Sequence, residues 1–353
     1  MGIANTLVQA ASQKGASDIH IVAGIEPKCR IDGQLENLFD SDNIFSDDDC
    51  EKLAKELAGK YYPQIEEIGE MDLAQTIEGE RVRINLFRQQ GSISAALRIL
   101  SNKIPKLEEL GLPPVVQDFP TWQKGIVLVT GETGSGKSTT LAAILDRINH
   151  TRTDHIITLE DPIEYLYTPD KCVINQREIG KDTASYDDGL RAILREDPDV
   201  ILIGEMRDLS TIETALTAAE TGHLVFATLH TNSAPDSIDR IVGVFPADHQ
   251  QQIRLQLSTT LKAVLSQQLL VRREGHGRVA ACETMIVTPA IKNLIREGKT
   301  PQMMSSMLSG TKEGSITMDN CLLKLLKERA ISPEAAMEAA NDKEYMRKYC
   351  NAR

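Results

Sequence analysis

Basic charge is what this 353-residue sequence has least of, relative to its opposite: 39 Lys and Arg face 51 Asp and Glu, a formal net charge of −12. That balance argues against a nucleic-acid backbone or an anionic lipid surface as the main partner, though a local basic groove stays compatible with it. Aromatic residues make up only 4%, with a single tryptophan, too few for the stacking platforms that grip single strands. No apolar run approaches the ~18 residues of a membrane span, so direct membrane insertion is not expected. The segment from Met1 to Gln13 lacks the charged start and continuous apolar stretch of a signal peptide. Six cysteines (Cys29, Cys50, Cys172, Cys282, Cys321 and Cys350) are scattered without a Cys-x-x-Cys pair. Scatter of this kind excludes the usual zinc spacing and fits a reducing compartment. The expectation is a cytoplasmic protein without zinc and without nucleic acid.

What is present is an ordinary globular composition, 41% hydrophobic and 25% charged, in a chain long enough for roughly two domains. Residues 1–100 read as a small α+β domain. Ile3, Leu7, Ala10 and Ala11 share one helical face. Strands follow at Ile19–Val22 and Lys28–Ile31, the latter turning at Asp32-Gly33, a favoured hairpin dipeptide. Ser46-Asp47-Asp48-Asp49 supplies an acceptor cap and an acidic first turn, and Gly59 closes that helix. Arg81 to Phe87 and Ser92 to Ile99 alternate as strands around a Gln89-Gln90-Gly91 turn. Three prolines and a glycine mark residues 101–114 as a linker. From 115 to 353 the pattern changes. Apolar runs at Ile126–Val129, Ile156–Leu159, Val200–Ile203 and Leu224–Leu229 alternate with helical stretches, as in βαβ units with a mostly parallel, doubly covered sheet. The tail from His249 reads mainly as helices, including one over His249–Leu269, with one strand near Arg278–Val287.

The chemistry centres on Gly131-Glu132-Thr133-Gly134-Ser135-Gly136-Lys137-Ser138, a complete G-x-x-x-x-G-K-[ST]. A buried strand, Ile126–Thr130, leads in, and a helix over Ser138–Ile148, with Thr139 in its first turn, leads out. Glycines there let backbone N–H groups curl round phosphate oxygens, and the helix N-terminus adds its positive end. Lys137 is placed to bridge the outer phosphates and the Ser138 hydroxyl to hold Mg²⁺. Two more apolar runs end in carboxylates: Val200–Ile203 runs on to Gly204-Glu205, and Ile157-Thr158-Leu159 to Glu160, Asp161 and Glu164. Open α/β sheets place their ligands at such strand ends. Glu205 there either completes the Mg²⁺ shell or polarises the attacking water. His223 and His230 bracket the run Leu224–Leu229. Their spacing is not a helical metal spacing, which leaves a phosphate-sensing role beside plain strand-end hydrogen bonding.

Taken together, Gly131–Ser138, Ile157–Glu164, Val200–Glu205 and His223–His230 resemble the Walker A, Asp box, Walker B and His box of the secretion and pilus motor ATPases. Ala16-Ser17-Asp18-Ile19-His20 and Arg30-Ile31-Asp32-Gly33 look like that family's N-terminal signatures. Ala290–Glu297, on its own residues an amphipathic helix, is similar to a helix of its pilus-retraction members, with Lys292 where arginine is usual. The resemblance implies a RecA-like P-loop ATPase core preceded by a PAS-like α+β domain, hexameric rings with ATP between subunits, and docking from the cytoplasm on an inner-membrane platform protein. It also implies arginine fingers. Arg83 and Arg98 fall opposite the apolar faces of their strands and are the chosen pair, with Arg81 and Arg88 as weaker candidates. Glu164 is expected to orient the water and Glu205 to serve the metal, or the reverse, while His230 and His223 sense the γ-phosphate. Closure of the first domain about residues 101–114 would be the power stroke. Pilus extension or export motors of the same superfamily, a DNA-translocating RecA-like helicase and a non-catalytic nucleotide-binding regulator are the competing readings. Extra N-terminal domains and a four-cysteine insertion are usual in the extension and export motors and are not expected here, which favours the retraction members.

Overall fold

A computed structural model of the chain describes residues 2–31, 34–40, 43–100 and 103–350. The expected Asp32-Gly33 turn and the first two residues of the expected linker lie outside that set. The chain divides into two compact units. One holds the residues up to Lys103 together with Pro162–Leu166, and the other holds Ile104–Asp161 and the residues from Tyr167 onward.

In the first unit α1 (Ile3–Gln13), α2 (Asp47–Ala58) and α3 (Tyr62–Ile68) pack on one face of a sheet. Its strands are β1 (Asp18–Ile21), β2 (Lys28–Ile31), β3 (Gln34–Asn37), β4 (Glu70–Ile77), β5 (Glu80–Gln89) and β6 (Ser92–Leu100), in the order β3-β2-β1-β6-β5-β4. Every pairing is antiparallel. Leu7, Val8 and Ala11 of α1 and Leu53, Ala54 and Leu57 of α2 are buried against Ile19, Val82, Ile84, Leu86 and Leu97. Ser46 and Asp49 form a reciprocal capping box at the start of α2, with the acidic first turn the sequence suggests. Strand β4 was not expected. Its residues are mostly exposed or half-buried, as befits a sheet edge, so the burial pattern is weak and only the unbroken ladder with β5 makes the strand.

The second unit has seven strands among the described residues: β7 (Gly125–Thr130), β8 (His155–Glu160), β9 (Val173–Glu178), β10 (Val200–Ile203), β11 (Leu224–Leu229), β12 (Leu261–Val271) and β13 (Arg278–Ile286). Their order is β13-β12-β7-β11-β10-β8-β9. All neighbours run parallel except the β12–β13 hairpin. Helices α4 (Lys137–Thr151), α5 (Tyr186–Ile193), α6 (Leu209–Glu220), α7 (Ala234–Gly243) and α8 (Gln250–Thr260) flank the sheet. Strand β7 shows why its run is continuously apolar. Ile126 and Leu128 enter the core shared with α5–α8, while Val127 and Val129 enter the opposite core with α4. Leu107, inside the expected linker, is buried with Val116 and Phe119 in that second core. After β13 come α9 (Pro289–Glu297), α10 (Met303–Ser309), α11 (Met318–Lys327), α12 (Pro333–Ala339) and α13 (Lys343–Cys350).

The expected helix over His249–Leu269 is corrected here: it stops at Thr260, and Leu261–Val271 is a strand beside the P-loop strand. Leu261, Ala263, Val264 and Leu265 are all fully buried, and a strand buried on both faces has no period to set it apart from a buried helix.

One buried carboxylate ties the helices of this unit to the sheet. Glu283 of β13 is fully buried, and its two oxygens accept from Ala234 N at 2.8 Å and Met318 N at 3.2 Å, the first residues of α7 and α11. Burial raises its pKa above the ordinary carboxylate value, against the lowering effect of those two N–H groups. Glu283→Ala should cost on the order of 2–5 kcal/mol, because two buried donors lose their acceptor. Glu283→Gln should cost less. Since the raised pKa penalises the ionised folded form, native protein should gain stability relative to Glu283→Gln as pH falls from neutral toward the ordinary carboxylate range. Urea unfolding of the three proteins at neutral and mildly acidic pH measures both effects.

Candidate nucleotide site

Matched register brings the strand ends together. Thr130 pairs with Leu229, and Ile203 with both Ala227 and Leu159. The residues that follow β7, β11 and β10 therefore emerge at one edge of the sheet, beside the end of β8. Gly131 N donates to Leu229 O, Met206 N to Thr228 O and Gly204 N to Leu159 O, so each segment is stitched to its neighbour as it leaves the sheet.

Residues 131–136 then turn into α4, whose N-cap is Gly136 at φ 93°. Gly131, at φ 137°, permits a close approach: a Cβ there would lie 2.3 Å from Gln267 O and 2.6 Å from Ser135 Oγ. Lys137 is buried, and its ammonium donates to Gly131 O at 2.7 Å and Glu132 O at 2.9 Å, closing the loop on itself. Glu132, Thr133, Gly134 and Ser138 are exposed, and Thr139 is half-buried in the first turn of α4. Beside the loop opens a cavity of about 770 Å³, bordered by Glu132–Ser135, Asn232 and Gln267, a size that suits a nucleotide. Two buried polar atoms on its border, Ser135 Oγ and Gln267 Oε1, have no hydrogen-bond partner. Buried groups without partners point to a ligand.

Glu205 sits just beyond β10 with both oxygens engaged: Arg207 Nε donates to Oε2 at 2.7 Å, and His230 Nε2 lies 3.4 Å from Oε1. The bond to Glu205 raises the Arg207 pKa further. Asn232 Nδ2 donates to Glu132 Oε1 at 3.3 Å, so the segment after β11 touches both the P-loop and the β10 carboxylate. Glu160 ends β8 and accepts from Thr158 Oγ1 at 2.7 Å. Burial, then the Asp161 carboxylate, holds the Tyr186 phenol above its ordinary range. Its hydroxyl would lie 2.8 Å from a Cβ at Gly204, which explains that glycine. Tyr186, Arg207, Asn232 and Gln267 were not singled out from sequence, since none belongs to a spaced motif.

His223 stands before β11, where its carbonyl accepts from Gly125 N and its ring Nδ1 lies 2.8 Å from Ala218 O. Seven residues at about 3.3 Å each separate it from His230, so within one copy of the chain it is at the far edge of the sheet from the P-loop.

Glu164, Arg81, Arg83 and Arg98 belong to the first unit. Arg83 and Arg98 are direct cross-strand partners, and Asp18 is the next partner along that row. Arg98 Nε donates to Asp18 Oδ1 at 2.8 Å. Burial tends to raise the Asp18 pKa, but the bonds from Arg98 and Ser17 outweigh it and hold the carboxyl below its ordinary value. Two guanidiniums directly opposite repel each other, so this face attracts anions. Arg88 is exposed further along β5. Arg81 differs from the expectation of an outward finger: it is 8% exposed, and its Nε and Nη2 donate to Ile163 O at 3.2 and 2.9 Å.

Residues 2–337 match the family described as "Type II/IV secretion system protein". The chain is 47% identical over 338 residues to the type IV pilus retraction ATPase PilT of Pseudomonas aeruginosa, covering 95% of this chain and 97% of that one. It is 50% identical over 266 residues to a twitching motility protein of Neisseria gonorrhoeae, covering 75% and 71%. A crystal structure of the pilus retraction motor PilT with bound ADP superposes with a TM-score of 0.91 at 48% identity over 99% of both chains.

Gly131→Ala should cut nucleotide affinity by at least about tenfold while the sheet stays folded, since the added methyl has no room. Titration with a fluorescent ATP analogue, beside circular dichroism, checks this. Native affinity would mean that the loop does not hold phosphate.

Proposed function

The chain belongs to the type II/IV secretion system protein family, and on that premise we propose that it is an ATPase that powers retraction of type IV pili. The observation that carries the chemistry is the shared register that sets the P-loop, Glu205 and His230 at one sheet edge. Relatives named for pilus retraction and twitching support the biological role.

In the proposed mechanism the phosphates enter the cradle of Gly131, Glu132, Thr133, Gly134, Ser135 and Gly136, and their oxygens take up the backbone N–H groups there. Lys137 exchanges its bonds to the Gly131 and Glu132 carbonyls for the outer phosphates, which opens the loop only when nucleotide is present. Ser138 and Thr139 complete the first turn of α4 beneath the phosphates. The exposed Ser138 hydroxyl and the Glu205 carboxylate are hard oxygen donors of the kind Mg²⁺ takes. When bound, Mg²⁺ would neutralise charge on the phosphates. Glu164 orients the attacking water, and His230, in contact with Glu205, registers whether the γ-phosphate is there. Charge spreading over the transferred group calls for a cation from outside the P-loop, and Arg83 with Arg98 supplies it from a neighbouring copy in a homo-hexamer. A finger of this kind contributes about 10³–10⁵ in rate. Closure of the first unit over nucleotide is the stroke, a hinge motion. The ring docks on an inner-membrane platform protein at the cytoplasmic face. No helix among the described residues is long and apolar enough to cross a membrane.

Two variants test the shared site. Lys137→Ala and Arg83→Ala/Arg98→Ala should each lose ATP turnover by more than about 100-fold while staying folded. Mixed, they should regain part of the native rate, because some junctions combine an intact P-loop with intact arginines. A mixture no faster than its components, or a monomeric fraction with native turnover, contradicts the reading. Restored fibre withdrawal in cells lacking their retraction motor tests the direction of force.

A further inference from the structure

Among the described residues, Arg81 is the strand arginine of this unit that is buried, and two N–H groups of its guanidinium fork reach one backbone oxygen. Its Nε and Nη2 both donate to Ile163 O, across 82 residues of sequence. Arg81 lies on the face of β5 opposite the helices, which pack against Val82, Ile84 and Leu86. The stretch Pro162–Leu166 packs with this unit although the chain before and after it belongs to the other one. Pro162 and Ile163 are buried and Glu164 is half-buried. A planar guanidinium giving two N–H bonds to one carbonyl fixes that peptide in direction as well as in distance, which a point-like ammonium cannot do. The peptide so fixed joins Ile163 to Glu164.

We infer that Arg81 is a positioning residue for ATP hydrolysis: by clamping the Ile163 carbonyl it sets where the Glu164 carboxylate stands. The inference rests on the proposed water-orienting role of Glu164. Its physical basis is short leverage. One peptide bond separates the anchored carbonyl from the Glu164 Cα, so loss of the clamp frees the backbone directly under the carboxylate. A misplacement of about 1 Å at a reacting group costs on the order of 100-fold in rate. Both ends of the clamp lie in the first unit, so its hydrogen bonds couple β5 to Glu164: movement of β5 is passed to the carboxylate through Arg81.

The test uses the full-length protein and compares Arg81→Met, Arg81→Lys, Glu164→Gln and the double variant Arg81→Met/Glu164→Gln. Steady-state and single-turnover ATP hydrolysis, fluorescent-ADP affinity and thermal unfolding are measured on each. Arg81→Met should lose kcat by about 10- to 100-fold, with KM for ATP and ADP affinity within about twofold of native. Arg81→Lys, which keeps the charge but not the fork, should fall between Met and native. In the Glu164→Gln background Arg81→Met should have no further effect on kcat, since both act through one carboxylate. A folded Arg81→Met with native kcat overturns the inference, and so does a loss that multiplies with that of Glu164→Gln. If Arg81→Met does not fold, Arg81→Lys decides alone, native kcat again overturning it. Native turnover by Glu164→Gln would instead overturn the role of Glu164 itself, which separates that failure from failure of the clamp.

Discussion

Parallel pairing in matched register governs this molecule. Strands that run the same way, paired residue for residue, must all finish at the same edge, and β7, β11 and β10 do so within hydrogen-bonding reach of one another. A P-loop, a carboxylate and a histidine spread over 100 residues of sequence (Gly131 to His230) thereby become neighbours without any long-range side-chain design. Close packing of that edge explains the small residues on it. A Cβ at Gly131 would meet Gln267 O, and one at Gly204 the Tyr186 hydroxyl. The polar groups follow from the same crowding: Lys137 turns back on its own loop, Arg207 covers one oxygen of Glu205, and His230 stands at the other.

The first unit solves a different problem. Its antiparallel sheet has one face covered by helices and the other lined with arginines, a row in which Arg83, Arg98 and Asp18 are successive partners. Asp18, set beside the guanidiniums in that row, offsets part of their repulsion. Arg81, on the same face, keeps its charge but turns its guanidinium to Ile163 O. Alternation places all three on one side and cannot say which is spoken for.

That distinction marks how far the residues alone carry. The P-loop, the apolar runs that became β7, β8, β10 and β11, and the cap of α2 are local features, set by glycine placement, β-rich runs and side-chain acceptors near their own backbone. They were legible. Strand β4 is an edge with little burial, and β12 is buried on both faces; in each the pattern that would name the element is missing. A strand's two ends look alike in sequence, so the pattern does not show that, within one copy of the chain, His230 and not His223 emerges beside the P-loop. Glu164 could be picked out as a carboxylate after an apolar run, but nothing in its spacing shows that its peptide is held by an arginine 82 residues earlier. Long-range partners of this kind leave no local trace.

Strand β12, where a helix was expected, changes how load would travel. It lies between the P-loop strand and the β13 hairpin arm, and Ser266 joins Thr130 by a hydroxyl–hydroxyl bond of 2.8 Å at the root of the P-loop. The C-terminal helices therefore hang from a ladder continuous with the phosphate loop. A ladder pulled lengthwise must shear many bonds together, whereas a helix joined by loops would bend at its hinges. Any mechanical work done at the nucleotide would reach the tail of the chain through a stiff plate, with little slack to absorb it.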